Sequence, residues 1–150
     1  MPSKRLELDQ FVPYRLSVLT NRVSDAIARH YSQRFSLSIP EWRVMAVLGE
    51  AGGLSAGEVA NRTAMDKVQV SRAVASLIEA RRIKRMADAD DGRVARLSLT
   101  AQGRAVYDEI VPLALHLEET LLGAFKPGER KQFESLLGKL QSRARLLGGA

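Results

Sequence analysis

The chain has no cysteine and only two histidines, His30 and His116. The first absence excludes disulfides, thiolate zinc sites and thiol-based redox sensing by this chain. The second leaves any metal site to carboxylates, and neither histidine has metal-ligand spacing around it. No metal and no cofactor are therefore expected. No apolar run is long enough to cross a bilayer. Met1 to Gln10 is charged and lacks the apolar stretch of a secretory signal. A cytoplasmic protein with no membrane partner is the expectation. There is also no glycine-rich phosphate loop, no nucleophile–base set and no cofactor motif, so the chain does not read as an enzyme. Internal repeats, low-complexity tracts and linkers are absent too.

What is present is 150 residues, 45% of them hydrophobic, with a formal net charge of +6 and a pI near 10.1. That length and apolar fraction suffice for one domain, or for one domain with a dimerisation extension. The positive excess favours a polyanionic partner. It is also concentrated. Between Asn61 and Arg104 stand ten basic and five acidic residues, a net of +5.

The periodicity explains why that segment is distinct. Asp9 to Phe35 reads as one long helix with Leu16, Leu19, Val23, Ile27 and Tyr31 on an apolar face and Pro13 in its first turn. Ser38-Ile39-Pro40-Glu41 is a capping box, with Leu37 and Trp42 at the hydrophobic staple positions. The helix it opens should run to about Glu50, before Gly52-Gly53. Ser55-Ala56-Gly57-Glu58 is a second capping box, opening a short helix that ends near Arg62. Asp66-Lys67-Val68-Gln69 opens a third helix, to about Arg81. Three starts so close together imply a tri-helical helix-turn-helix core. Ile83–Asp88 and Arg93–Leu99 then form a β-hairpin around the turn Ala89-Asp90-Asp91-Gly92, where a wing would follow.

Thr100 caps a helix from Ala101 to about Gly123. Its stripe is Val106, Ile110, Leu113, Leu117 and Leu121, with Pro112 inside it bending it or removing a hydrogen bond. Pro127 and Glu129 start the last helix, with Phe133, Leu136, Leu137, Leu140 and Leu147 on its buried side. The fold class is mainly α with a small β-hairpin wing: a winged helix-turn-helix with N- and C-terminal dimerisation helices. Residues 37–100 form the DNA-binding lobe. Residues 1–36 and 101–150 form a helical dimerisation region, because such long terminal helices can hardly be buried on one small domain.

On the helix from Asp66, Val70, Ala73, Val74, Leu77 and Ile78 fall on one side and anchor it. Val68, Gln69, Arg72 and Ser76 fall on the other, with Lys67 in the first turn; Ser71 joins the expected DNA-binding set. Arg can bond guanine bidentately, Gln can pair with adenine, and Val can touch a thymine methyl. The helix N-terminus favours a nearby phosphate. Arg93 at the hairpin tip suits a narrow A·T-rich minor groove. Asp91, two residues earlier, is placed to hold its guanidinium.

These motifs resemble the MarR-type regulators, bacterial winged-helix repressors of antibiotic-resistance and aromatic-catabolism genes. The matching segments are Ser38 to Val44, Leu54 to Ala60, Asp66 to Leu77 and, most specifically, Asp90-Asp91-Gly92-Arg93-Val94-Ala95-Arg96-Leu97-Ser98-Leu99-Thr100-Ala101-Gln102-Gly103. The resemblance implies a homodimer on a pseudo-palindromic operator of double-stranded DNA. Two recognition helices would lie in successive major grooves, and the Asp91–Arg93 wing in the minor groove. It also implies an effector pocket between the dimerisation helices and the lobe. Candidate lining residues are Tyr14, Arg15, Leu19 and Arg22 on the first helix and Trp42, Arg43 and Val47 on the second. An arginine beside aromatics suits an aromatic carboxylate.

The segment Tyr14 to Ser24 is similar to the branch that controls catabolism of hydroxycinnamates and related aromatics. That similarity makes a small aromatic acid, or its coenzyme A thioester, the expected effector. Arg22, Arg29 and Arg34 could meet thioester phosphates or be plain solvated or dimer-interface arginines. The competing reading is a ligand-independent structural DNA-binding protein.

Overall fold

The computed structural model describes residues 4–148. Among the described residues a 3-10 turn at Leu8–Gln10 precedes six helices and one hairpin: α1 Val12–Phe35, α2 Ile39–Glu50, α3 Ala56–Thr63, α4 Lys67–Glu79, β1 Ile83–Ala87, β2 Ala95–Leu99, α5 Ala101–Leu122 and α6 Pro127–Leu147. The first helix thus starts at Val12, not Asp9. Phe11 is extended, and Pro13 then occupies the first turn of α1, where no N–H is needed.

The described residues form two compact units, one ending at Leu113 and the other starting at Ala114, dividing inside α5. In the first unit the core is built from α2, α3, α4 and the hairpin, with Tyr31, Leu37, Ile83, Leu97 and Ile110 sealing it. The anchoring face expected for α4 is real: Val70, Ala73, Val74 and Leu77 are buried. Ser38 makes the full reciprocal capping box with Glu41. At Ser55 the box is one-sided. The hydroxyl accepts from the Glu58 N–H, but the Glu58 carboxylate turns instead to the Ser55 hydroxyl and to Arg96.

α4 stops at Glu79 rather than Arg81. Arg81 adopts φ +60°, its N–H donates to the Ile78 carbonyl, and the Arg82 N–H donates to the Leu77 carbonyl. This is a Schellman stop with arginine where glycine is usual. The strands pair antiparallel, Ile83 opposite Leu99 through Ala87 opposite Ala95, so both are shorter at the tip than the sequence suggests. Leu54 adds a one-residue bridge to Leu97, which tethers the wing to the start of α3. Thr100 caps α5 as expected: its Oγ1 accepts from the Gly103 N–H and donates to the Arg81 carbonyl. α5 continues through Pro112.

In the second unit Glu129 accepts from the Lys126 N–H and opens α6, where Phe133 packs on Phe125 with ring centroids 5.2 Å apart. The apolar stripe of α6 was expected to be buried. Within the single chain no α6 residue is buried: Leu136 is 57% and Leu147 82% exposed, while Phe133 and Leu137 are half-buried. The physical reason is that this unit is too small to cover both sides of a 21-residue helix.

Candidate nucleic-acid interface

The turn between α3 and α4 is made by local chemistry. Thr63 donates to the Val59 carbonyl and accepts from the Met65 N–H, Ala64 turns into the left-handed region, and Met65 is buried. Asp66 then accepts from the Gln69 N–H at 2.8 Å, which satisfies one orphan donor and starts α4 at Lys67. The result is a helix pinned by its apolar face with its first turns free.

On the free side stand Lys67, Val68, Gln69, Ser71, Arg72 and Ser76, all exposed. Val68 is 59% exposed, an apolar side chain held in water at the crest of the helix. Two clefts flank that crest. One is lined by Ala56, Gly57, Lys67, Ser71 and, from the wing, Arg85. The other is lined by Ser38, Glu41, Gln69, Arg72 and Ser76. The six residues singled out on α4 are therefore brought together. Ser76 is partly committed, since its hydroxyl donates to the Glu41 carboxylate at 3.1 Å. Among the described residues Lys67, Arg72, Arg85 and Arg93 form no ion pair.

At the wing one expectation needs correction. Asp91 does not hold the Arg93 guanidinium; its Oδ1 accepts the Arg93 backbone N–H at 3.0 Å. The spacing of two residues favours this Asx-type turn over a side-chain pair, because the short aspartate reaches the near amide first. The Arg93 side chain is exposed and unpaired among the described residues. The carboxylate that does meet a guanidinium is Asp88, which pairs with Arg96 at 2.7 Å. The Asp90 N–H and then the Arg96 guanidinium hold the Asp88 carboxyl below its ordinary range, and the same pair raises Arg96. In the sequence Arg96 stands as one of the segment's cations and as a position of the wing motif, with no partner indicated. Its partner Glu58 lies 38 positions away and gave no local signal.

The seven candidate effector residues fall in two places. Tyr14, Arg15, Leu19 and Arg22 line a concavity of ≈ 350 Å³ along α1, with Asp9 and Val18. Trp42, Arg43 and Val47 lie on α2, half-buried. Trp42 packs between Tyr31 and Tyr107, each ring 5.9 Å away. Arg43 donates to the Ser24 hydroxyl at 3.4 Å. Of the three arginines considered for thioester phosphates, Arg34 is paired with Glu109 at 2.7 Å. No described helix is long and apolar enough to cross a membrane.

Comparison with known proteins agrees with this architecture. Residues 35–94 match the family model described as MarR family. The chain is 26% identical over 133 residues to the HTH-type transcriptional repressor Rv2887 of Mycobacterium tuberculosis, covering 88% of this chain and 92% of that protein. It is 29% identical over 97 residues to the HTH-type transcriptional repressor NicR of Pseudomonas putida, covering 64% and 61% of the two chains. The crystal structure of a MarR/EmrR family transcriptional regulator from Acinetobacter sp. ADP1 is similar with a TM-score of 0.85 at 28% identity, covering 94% of this chain and 99% of that one.

Proposed function

Given that this chain is a MarR-type winged helix-turn-helix transcriptional regulator, we propose that it is a homodimeric, sequence-specific repressor released from its operator by a small aromatic carboxylate or its coenzyme A thioester. The observation that carries the DNA-reading half is the crest of α4. A buried apolar face fixes the helix, and Lys67, Val68, Gln69 and Arg72 stand exposed at its N-terminal end between two clefts. Such a face reads base edges in the major groove, and the unpaired Arg93 serves the minor groove. The exposed leucines of α6 support a second copy as their cover. The effector half is supported by the α1 concavity, where Tyr14 supplies a ring face and Arg15 and Arg22 supply cations for a carboxylate. The lobe at 37–100 acts as the reader, and 1–36 with 101–150 as the dimerisation region.

The test is selection of a duplex from a randomised pool, followed by competition with unrelated DNA. A regulator selects a pseudo-palindrome with half-sites about one helical turn apart and holds it roughly 10³-fold or more tightly than random sequence. Equal binding to both would favour the structural DNA-binding alternative. A thermal-shift screen with hydroxycinnamic acids and their coenzyme A thioesters tests the effector half. A hit must raise the Tm and release the selected duplex; no stabilisation by either class removes the aromatic effector.

A further inference from the structure

Arg96 lies in β2 opposite Met86, and its guanidinium touches three separate segments. Nε donates to Asp88 Oδ2 at 2.7 Å. Nη1 donates to Glu58 Oε1 at 2.9 Å and to the Gly53 carbonyl at 3.3 Å. Glu58 belongs to the first turn of α3, Gly53 to the loop before it, and Asp88 to the tip side of β1.

The run of bonds continues outward. Asp88 Oδ1 accepts the Asp90 N–H at 2.8 Å, the Asp88 N–H donates to the Val94 carbonyl, and Asp91 Oδ1 accepts the Arg93 N–H. Hydrogen bonds therefore link the first turn of α3 to Asp90 and Val94, each joined through the backbone of the tip to Arg93. An isolated two-stranded hairpin is marginal in water. This one is anchored at its base by Ile83, Leu97 and the Leu54 bridge, but beyond Leu97 its side-chain tie to the lobe runs through Arg96. Arg96 spends its guanidinium donors on protein acceptors, whereas the exposed Arg93 guanidinium has no partner among the described residues.

We infer that Arg96 is a positioning residue for DNA reading: it struts the wing against α3 so that Arg93 meets the minor groove in register with α4. The inference rests on the proposed wing–minor-groove reading. It is tested with the full chain and the duplex it selects, by fluorescence anisotropy over a range of salt. Arg96→Ala and Asp88→Ala are compared with the parent, with Arg93→Ala and with the Arg93→Ala double variants. Both carboxylate and guanidinium ends of the strut are sampled, so one misfolded variant leaves the other informative.

The strut predicts about tenfold weaker binding of the selected duplex by either single variant. Binding of an unrelated duplex stays as in the parent, the salt slope falls no further than in Arg93→Ala, and no further loss occurs in the Arg93→Ala background. A slope lower by about 0.9 in the double variant of Arg93→Ala and Arg96→Ala than in Arg93→Ala alone would mean that Arg96 itself neutralises a phosphate, and would overturn the positioning role. So would equal weakening on both duplexes, or losses that add to that of Arg93→Ala, because those mark plain destabilisation. Parent-like binding by Arg96→Ala and Asp88→Ala beside a weakened Arg93→Ala would overturn the strut alone. Parent-like binding by Arg93→Ala would overturn the wing reading and the strut with it.

Discussion

Arg72 and Arg93 carry the same charge, but their settings assign them different work. Arg72 stands exposed on a pinned helix beside Gln69, and under the proposed reading its loss removes a base contact; Arg93 stands at a ribbon tip. Arg72→Ala should weaken specific binding by about 1–3 kcal/mol and relax one operator position. Arg93→Ala should weaken binding with less change in major-groove preference. Selected-sequence profiles for the two variants check both outcomes, and parent-like profiles for both would remove the reading head. Tyr31 makes a different kind of residue-scale prediction. Burial pushes its phenol up to about 12 from 10.0, against a smaller lowering by Arg43 and a raising by Asp25. The unfolded chain then ionises first as pH rises. Stability is fully present below pH 10.0 and falls as pH climbs toward about 12. Urea midpoints should drop across that window, and Tyr31→Phe should flatten the drop. The exposed face of α4 was legible because a helix face is a matter of spacing. Arg96 was not, since its partners come from α3 and the other strand.

The elements start by rules that can be read locally and stop by rules that are harder to see. Ser38, Asp66 and Thr100 cap as their sequences suggest, each through an oxygen that meets an N–H three residues on. The end of α4 was misplaced because a Schellman stop normally announces itself with glycine, and here Arg81 takes φ +60°. An L residue pays a steric penalty there, partly offset by its smaller loss of chain entropy. Arg81→Gly should therefore stabilise the lobe slightly, by about 1 kcal/mol or less, seen as a modest rise in Tm. The opposite holds at the start of α5. A Cβ on Gly103 would stand 1.9 Å from the Arg82 carbonyl oxygen, a backbone atom that cannot swing away. Gly103→Ala should cost at least about 2 kcal/mol in denaturant unfolding and disturb the base of the wing. A tolerated Gly103→Ala would mean that this helix entry is looser than its geometry.

At the scale of the molecule the open quantity is apolar surface. Leu136, Leu140, Leu146 and Leu147 are all more than half exposed on one helix, a pattern that isolated subunits seldom keep. Under the proposed homodimer, Leu136→Glu with Leu140→Glu should convert the sedimenting species from dimer to monomer and cut affinity for the selected duplex far more than for a half-site. A parent that already sediments as a monomer would remove the dimer. What the sequence by itself determined is the order of elements, the helix starts, the pinned and free faces of α4 and the basic bias of the lobe. Each of these follows from spacing, capping chemistry or charge along a few consecutive residues. Only the tertiary structure decided that the wing is tied to α3 by Glu58, Arg96 and Asp88, that Asp91 holds a backbone amide rather than the Arg93 guanidinium, and that the α2 candidates stand apart from the α1 concavity. Those outcomes depend on which distant groups arrive within hydrogen-bond reach, and local periodicity carries no record of that.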